Sequence, residues 1–242
     1  MGMLQITDEQ VITLIKTTSN LPLVKVSRED YLRKEFSKDY YHIMDDILEK
    51  GPYEAGVPID VIEKKAKFAI SYERTKASAI SFLTGLPGGV AMAGTIPADL
   101  SQFMGHCMRI VQKLAYLSGM PGFSDSNDMT DEEANIVLIY LGVMFGESQA
   151  AMALKTLAKY LSGVALKEIP KIALTKVVGY QMIKSILKAL GIRLTKNLAA
   201  KTVSKIIPIA GGVISGGMTF ITVEVMSKRL YDKLAESRFD NN

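Results

Sequence analysis

Between Lys76 and Asp99 the chain runs for 22 residues without a charge. A membrane-spanning helix needs about 20 apolar residues, so the run has the length of a span. Gly85-Leu-Pro-Gly-Gly89 stands in its middle, however, and Pro97 lies near its end. Proline removes a backbone donor and glycine loosens the backbone, so one continuous helix is disfavoured. The expectation is a helix end, a glycine-rich turn and a new helix start, with re-entrant membrane insertion as the alternative. A second charge-free run covers Ile206 to Val223, 18 residues long, with Gly212 and Gly216 four apart. Small residues at that spacing let helices approach closely. The expectation is a buried core helix that packs through Gly212 and Gly216, the alternative a membrane-inserting hairpin or span. Mean hydropathy is +0.16, above that of an ordinary soluble enzyme.

The rest of the chain has helical spacing. Thr7 before Asp8-Glu9-Gln10, Ser27 before Arg28-Glu29-Asp30 and Thr130 before Asp131-Glu132-Glu133 read as helix caps. A charged helix should run from Ser27 to about Lys50, broken near Ser37, and Gly51-Pro52 should stop it. Pro58 suits the first turn of a helix over roughly 58–84. Further helices are expected at about 97–118, 131–145, 148–162, 171–190, 195–206 and 208–236. Ile136 to Phe145 is apolar on nearly every side, which predicts a buried helix. The residues at 21–26 alternate briefly and allow one short extended segment. The fold class is therefore all-α: one domain over 1–242, of about eight to ten helices, with charged N-terminal helices over 1–50 and a main helical part over 55–236.

Counting excludes several chemistries. One cysteine, Cys107, permits no intrachain disulfide and no iron–sulfur cluster, and two histidines, His42 and His106, cannot make a three-histidine zinc site. No metal or cofactor site is expected. The glycine-rich loop lacks the spacing of a phosphate-binding loop or a dinucleotide fingerprint. One helix face collects Asp99, Gln102, His106, Arg109 and Lys113 at spacings of 3, 4, 3 and 4. Asp99 and His106 could form an acid–base pair there, while the competing reading is the solvated or structural face of an amphipathic helix, with Leu100, Phe103, Met104, Cys107, Val111 and Leu114 opposite. His42 and Asp46, one turn apart, read as a local pair.

Charge is distributed unevenly. Residues 1–150 hold 14 basic and 20 acidic side chains, whereas 151–242 hold 15 and 5. Between Lys155 and Lys205 there are eleven basic residues and a single acid, Glu168. Lys171, Lys176, Lys184, Lys188, Lys196, Lys201 and Lys205 are the candidate membrane- or anion-binding residues. The helix near 171–190 has the composition of an interfacial helix, with lysines beside a broad apolar face. The expected partner is an anionic membrane surface or a lipid-like ligand, or otherwise an acidic protein. Nucleic acid is disfavoured, because aromatic side chains and arginines are few there. The first thirty residues show no basic stretch followed by an apolar core, so no signal peptide is expected. The expected location is cytoplasmic, peripheral at the inner face of the cell membrane.

Gly85-Leu-Pro-Gly-Gly89, Thr95-Ile-Pro-Ala-Asp-Leu100, Gln112-Lys-Leu-Ala-Tyr116 with Gly119, Leu141-Gly-Val-Met-Phe-Gly146 and Ile207-Pro-Ile-Ala-Gly-Gly-Val213 resemble the EcsC protein family. The resemblance covers roughly 55–236. It implies a bacterial, helix-rich, hydrophobic protein, and because the namesake is encoded beside an ABC transporter it implies a membrane transporter as partner. The motifs are glycine, proline and packing residues and carry no catalytic set, although Asp99 would match the acid of a proline-alanine-aspartate signature. The leading expectation is a membrane-associated or lipid-binding protein acting through its basic, apolar C-terminal half. A hydrolase using Asp99 and His106 is one alternative, and a soluble adaptor for an acidic protein is another.

Overall fold

Threonine side chains set the starts of two helices. In the computed structural model Thr7 Oγ1 accepts from Gln10 N at 3.2 Å, and Gln10 Oε1 accepts from Thr7 N at 2.9 Å. This capping box opens α1 (Asp8–Ser19). Thr130 and Glu133 make the same reciprocal pair at the start of α6 (Asp131–Met144). Ser27 caps α2 (Arg28–Tyr40) by accepting from Asp30 N. The structure describes residues 7–21, 23–77, 98–120, 123, 129–161, 179, 181–192 and 211–239, and for 76–77, 98–102, 211–222 and 238–239 it describes the backbone alone.

The break in the charged N-terminal helix comes later than expected. Phe36 and Tyr40, one turn apart, meet edge to face with centroids 6.1 Å apart, so the helix continues through Ser37. A 3-10 turn over Tyr41–Ile43 then leads into α3 (Met44–Lys50). Pro58 precedes α4 (Ile59–Ala77) and its carbonyl accepts from Val61 and Ile62. The remaining elements are α5 (Ala98–Leu117), α7 (Ser148–Leu161), α8 (181–192) and α9 (Gly211–Phe239). Every regular element among the described residues is helical, as the spacing predicted. The expected helix at 195–206 and the stretch 78–84 lie outside them.

α5 is the centre of the molecule. Met104 to Leu117 is buried throughout, except that Arg109 is half-buried. α1, α2, α4, α6 and α9 all pack on it. α6 is buried on almost every side, as its composition predicted, and lies against α7 and α9. The ends of α5 and α6 share one geometry. Gly119 (φ +76°) and Gly146 (φ +81°) reverse the chain, and Met120 N and Glu147 N donate to the carbonyls of Ala115 and Gly142. These are Schellman motifs, in which glycine takes the left-handed position at no steric cost. Gly119 also lies against Gly51, just ahead of the turn into α4, so the end of α5 and the start of α4 share one end of the molecule.

Gly142 is a point of close approach. A Cβ there would lie 2.6 Å from Ala150 Cβ on α7 and 2.7 Å from Ile186 Cγ2 on α8. Gly142→Ala should therefore cost about 1–3 kcal/mol through overpacking. The measurement is the denaturant midpoint, which should fall with the slope unchanged. An unshifted midpoint would mean that the three helices do not meet at Gly142.

Candidate functional site

The apolar stripe of α4 runs through Ile62, Ala66, Ala69 and Ile70, all buried. The next position on that stripe is a carboxylate. Glu73 is 1% exposed and faces α5. Arg109 Nε lies 3.0 Å from each of its oxygens, and Lys113 Nζ lies 2.6 Å from Oε1. The ammonium of Lys113 also sits over two rings, 5.5 Å from the centroid of Tyr31 and 5.0 Å from that of Tyr72. Aromatic faces attract a cation and replace part of its lost hydration.

Of the two forms of the competing reading, solvated or structural, the described part of the polar face of α5 fits the structural one. His106, Gln112 and Lys113 are all buried. The segment before α2 packs against this helix at Arg109, Gln112 and Tyr116 and is held there by them. Gln112 Nε2 donates to Val24 O at 2.9 Å, and its Oε1 accepts from Val26 N at 2.9 Å. Tyr116 Oη donates to Val26 O at 3.0 Å, and Arg109 Nη1 donates to Leu23 O. The brief alternation at 21–26 thus marks a pinned strap rather than a strand. Its backbone groups are satisfied by these side chains and by the carbonyl of Leu21, which accepts from Val24 N and Lys25 N, instead of by a neighbouring strand.

Burial by itself would raise the pKa of the Glu73 carboxyl, and it is the largest single influence. The hydrogen bonds and charges of Arg109 and Lys113 together outweigh it and hold the group below the usual carboxylate value. Burial pushes His106 down to about 4, with Glu73 opposing that shift and Arg109 adding to it. Burial likewise drives the Tyr31 phenol upward, and Glu35 and Glu73 add to the effect. A carboxylate held ionised by two cations and a histidine kept neutral are both weak bases near neutral pH. The cluster is suited to fixing helices in register and carrying fixed charge.

Of the predicted site residues, His106 faces this cluster. Asp99 lies in the first turn of α5, and its side chain, like that of Gln102, is outside the described residues. Among the described residues, Glu73 is an acid whose charge acts on His106. Sequence reasoning passed over Glu73, although its position on the α4 apolar stripe marked it. His42 is exposed, and its expected partner Asp46 instead accepts from Lys50 at 3.0 Å. Lys184 and Lys188 stand on the exposed side of α8, with Ile183, Ile186, Leu187 and Leu190 buried beneath. Lys171, Lys176, Lys196, Lys201 and Lys205 lie outside the described residues. So do the surroundings of Gly212 and Gly216, which belong to the backbone of α9. Among the described residues, no three His, Cys, Asp or Glu side chains are grouped to hold a metal ion. Comparison with protein-family models, curated proteins and solved structures finds no match.

Two outcomes follow for the cluster. Glu73→Gln leaves two buried cations without their counter-charge and should cost about 3–5 kcal/mol, read by chemical denaturation. For His106, a folded-state pKa of about 4 against 6.5 unfolded means that the unfolded chain binds more protons between those values. Its contribution is complete above pH 6.5 and is lost as pH falls toward 4, on the order of 3 kcal/mol. His106→Gln should flatten the dependence of Tm on pH in that window. An equally steep variant would assign the acid sensitivity to other groups.

Proposed function

We propose that this protein works at the surface of an anionic membrane, seated by its two charge-free runs and held by its basic second half. The observation that carries this reading is where those runs join the folded core. The 77–98 run leaves α4 within one turn of Glu73 and Arg74. The 206–223 run ends beside Glu224 on α9, and Glu224 pairs with Arg74. One end of each run therefore meets the core at one ion-paired level, made by Glu73, Arg109 and Lys113 between α4 and α5 and by Arg74 and Glu224 between α4 and α9. Apolar segments that converge at one level favour a shared apolar environment. No helix among the described residues is long and apolar enough to cross a membrane.

Charge supports the same reading. The excess of lysine lies in the second part of the chain, and α8 holds Lys184 and Lys188 outward. Each lysine close to an anionic surface contributes about 1 kcal/mol at low salt. The resemblance to the EcsC family fits a membrane setting at the inner face of a bacterial cell membrane, with a transporter nearby. On this reading Asp99 is a helix-start carboxylate, and Asp99→Asn leaves function intact.

Sedimentation with vesicles tests the proposal. Binding should rise with the fraction of anionic lipid and fall with salt. Lys184→Glu with Lys188→Glu should weaken it about tenfold or more, while the melting temperature stays near that of the parent. Equal binding to neutral and anionic vesicles, or none to either, would overturn the proposal.

A further inference from the structure

Four of the eight exposed large apolar side chains among the described residues, Leu23, Phe68, Tyr72 and Val225, lie near the level where the charge-free runs begin, and the others are Tyr41, Ile59, Met152 and Ile192. Phe68 and Tyr72 stack on the outer face of α4, with centroids 6.1 Å apart, and are 62% and 38% exposed. Phe68 lies five residues before Glu73, about 7.5 Å along the helix. Leu23, 53% exposed, sits on the strap at the carbonyl held by Arg109. Val225, 52% exposed, follows Glu224 on α9. These side chains come from three separate parts of the chain. Each is next to, or within two turns of, a member of the ion-paired level.

We infer that Leu23, Phe68, Tyr72 and Val225 form an interfacial belt that seats the molecule at the boundary between headgroups and acyl chains of an anionic bilayer. The inference rests on the membrane reading above and adds the depth at which the core stops. Aromatic rings with a polar tip concentrate at that boundary, where one end is apolar and the other wet. Tyr72 has that character, with its ring over the buried ammonium of Lys113. The sequence offers no charge from 77 to 98 or from 206 to 223, and Asp99 is the first charge after the former run. Farther out, α4 carries Lys64 and Lys67, both exposed to solvent. Along the sequence, the change from charged to charge-free residues thus follows the belt positions on α4.

The chain contains no tryptophan, so a single introduced indole reports its own surroundings. Leu23→Trp, Phe68→Trp and Val225→Trp probe the belt on three elements. Ile59→Trp is the control, because Ile59 is 41% exposed and about 21 Å from Glu73 along α4. Each full-length variant is mixed with vesicles of anionic and zwitterionic phospholipid, sedimented, and read by fluorescence with acyl-brominated lipid as quencher. The three belt variants should shift to shorter wavelength and be quenched in the bound fraction, and the Ile59→Trp variant should do neither. Sedimentation without shift or quenching at the belt overturns the belt and leaves the membrane reading standing. Failure to sediment overturns both. A belt shift that appears without vesicles, as protein concentration rises, overturns the belt in favour of self-association.

Discussion

A single carboxylate between two helices holds much of this structure in place. Taking Glu73, Arg109 and Lys113 out of water costs several kcal/mol per ion after relaxation, and their attraction offsets that cost only if geometry is good. Here the carboxylate is bridged by Arg109 Nε and capped by Lys113 Nζ, and the ammonium of Lys113 rests on two rings. The arrangement adds little net stability over a well-packed apolar one. It does specify register, because sliding α4 along α5 by one turn strands two cations in the interior. Arg109 extends the same constraint to the strap through the carbonyl of Leu23. Gln112 and Tyr116 then fix the strap at Val24 and Val26. One face of α5 thereby positions α4, the approach to α2 and, through Arg74 beside Glu73, α9.

Where the fold was legible from sequence, the signal was local. Thr7 with Gln10 and Thr130 with Glu133 are capping pairs whose partners lie three residues apart, and both form. The apolar run of α6 had only one way to satisfy its surface, which was burial. What escaped the reading was set at a distance. A polar stripe at spacings of three and four looks the same whether water or a pinned backbone segment lies against it. The pinned segment at 23–26 lies more than eighty residues from Gln112 in sequence, so periodicity within the helix could not reveal it. Glu73 was overlooked for a related reason. An acid among Tyr72, Arg74 and Lys76 reads as part of a charged surface until the stripe Ile62, Ala66, Ala69, Ile70 is carried one step further. The helix break at Tyr41 rather than Ser37 shows a smaller effect of the same kind, with an aromatic pair overriding a weak local preference.

The glycines behind the resemblance to the EcsC family have physical duties here. Gly119 and Gly146 take the left-handed position that closes α5 and α6, and Gly142 lets α7 and α8 approach α6. Those duties concern how helices end and how closely they pack. A pattern built from such residues follows architecture and leaves chemistry open, which is why it brought no catalytic set with it. Charge and apolar runs therefore carry the functional reading.

The placement of the ionic level bears on that reading. In a protein surrounded by water on every side, a half-exposed pair such as Arg74–Glu224 is screened and worth little. Against a bilayer the same pair sits at the edge of a low-dielectric medium, where attraction between opposite charges strengthens. Glu73, Arg109 and Lys113 are removed from water by α4 and α5 themselves, so their energy changes less. On the proposed membrane reading the outer pair would gain on contact with lipid, while the inner cluster, buried between α4 and α5, would change little. Such a division suits a surface that must hold its shape before it docks. Ordering it at the moment of binding would cost conformational entropy that the apolar contacts would first have to offset.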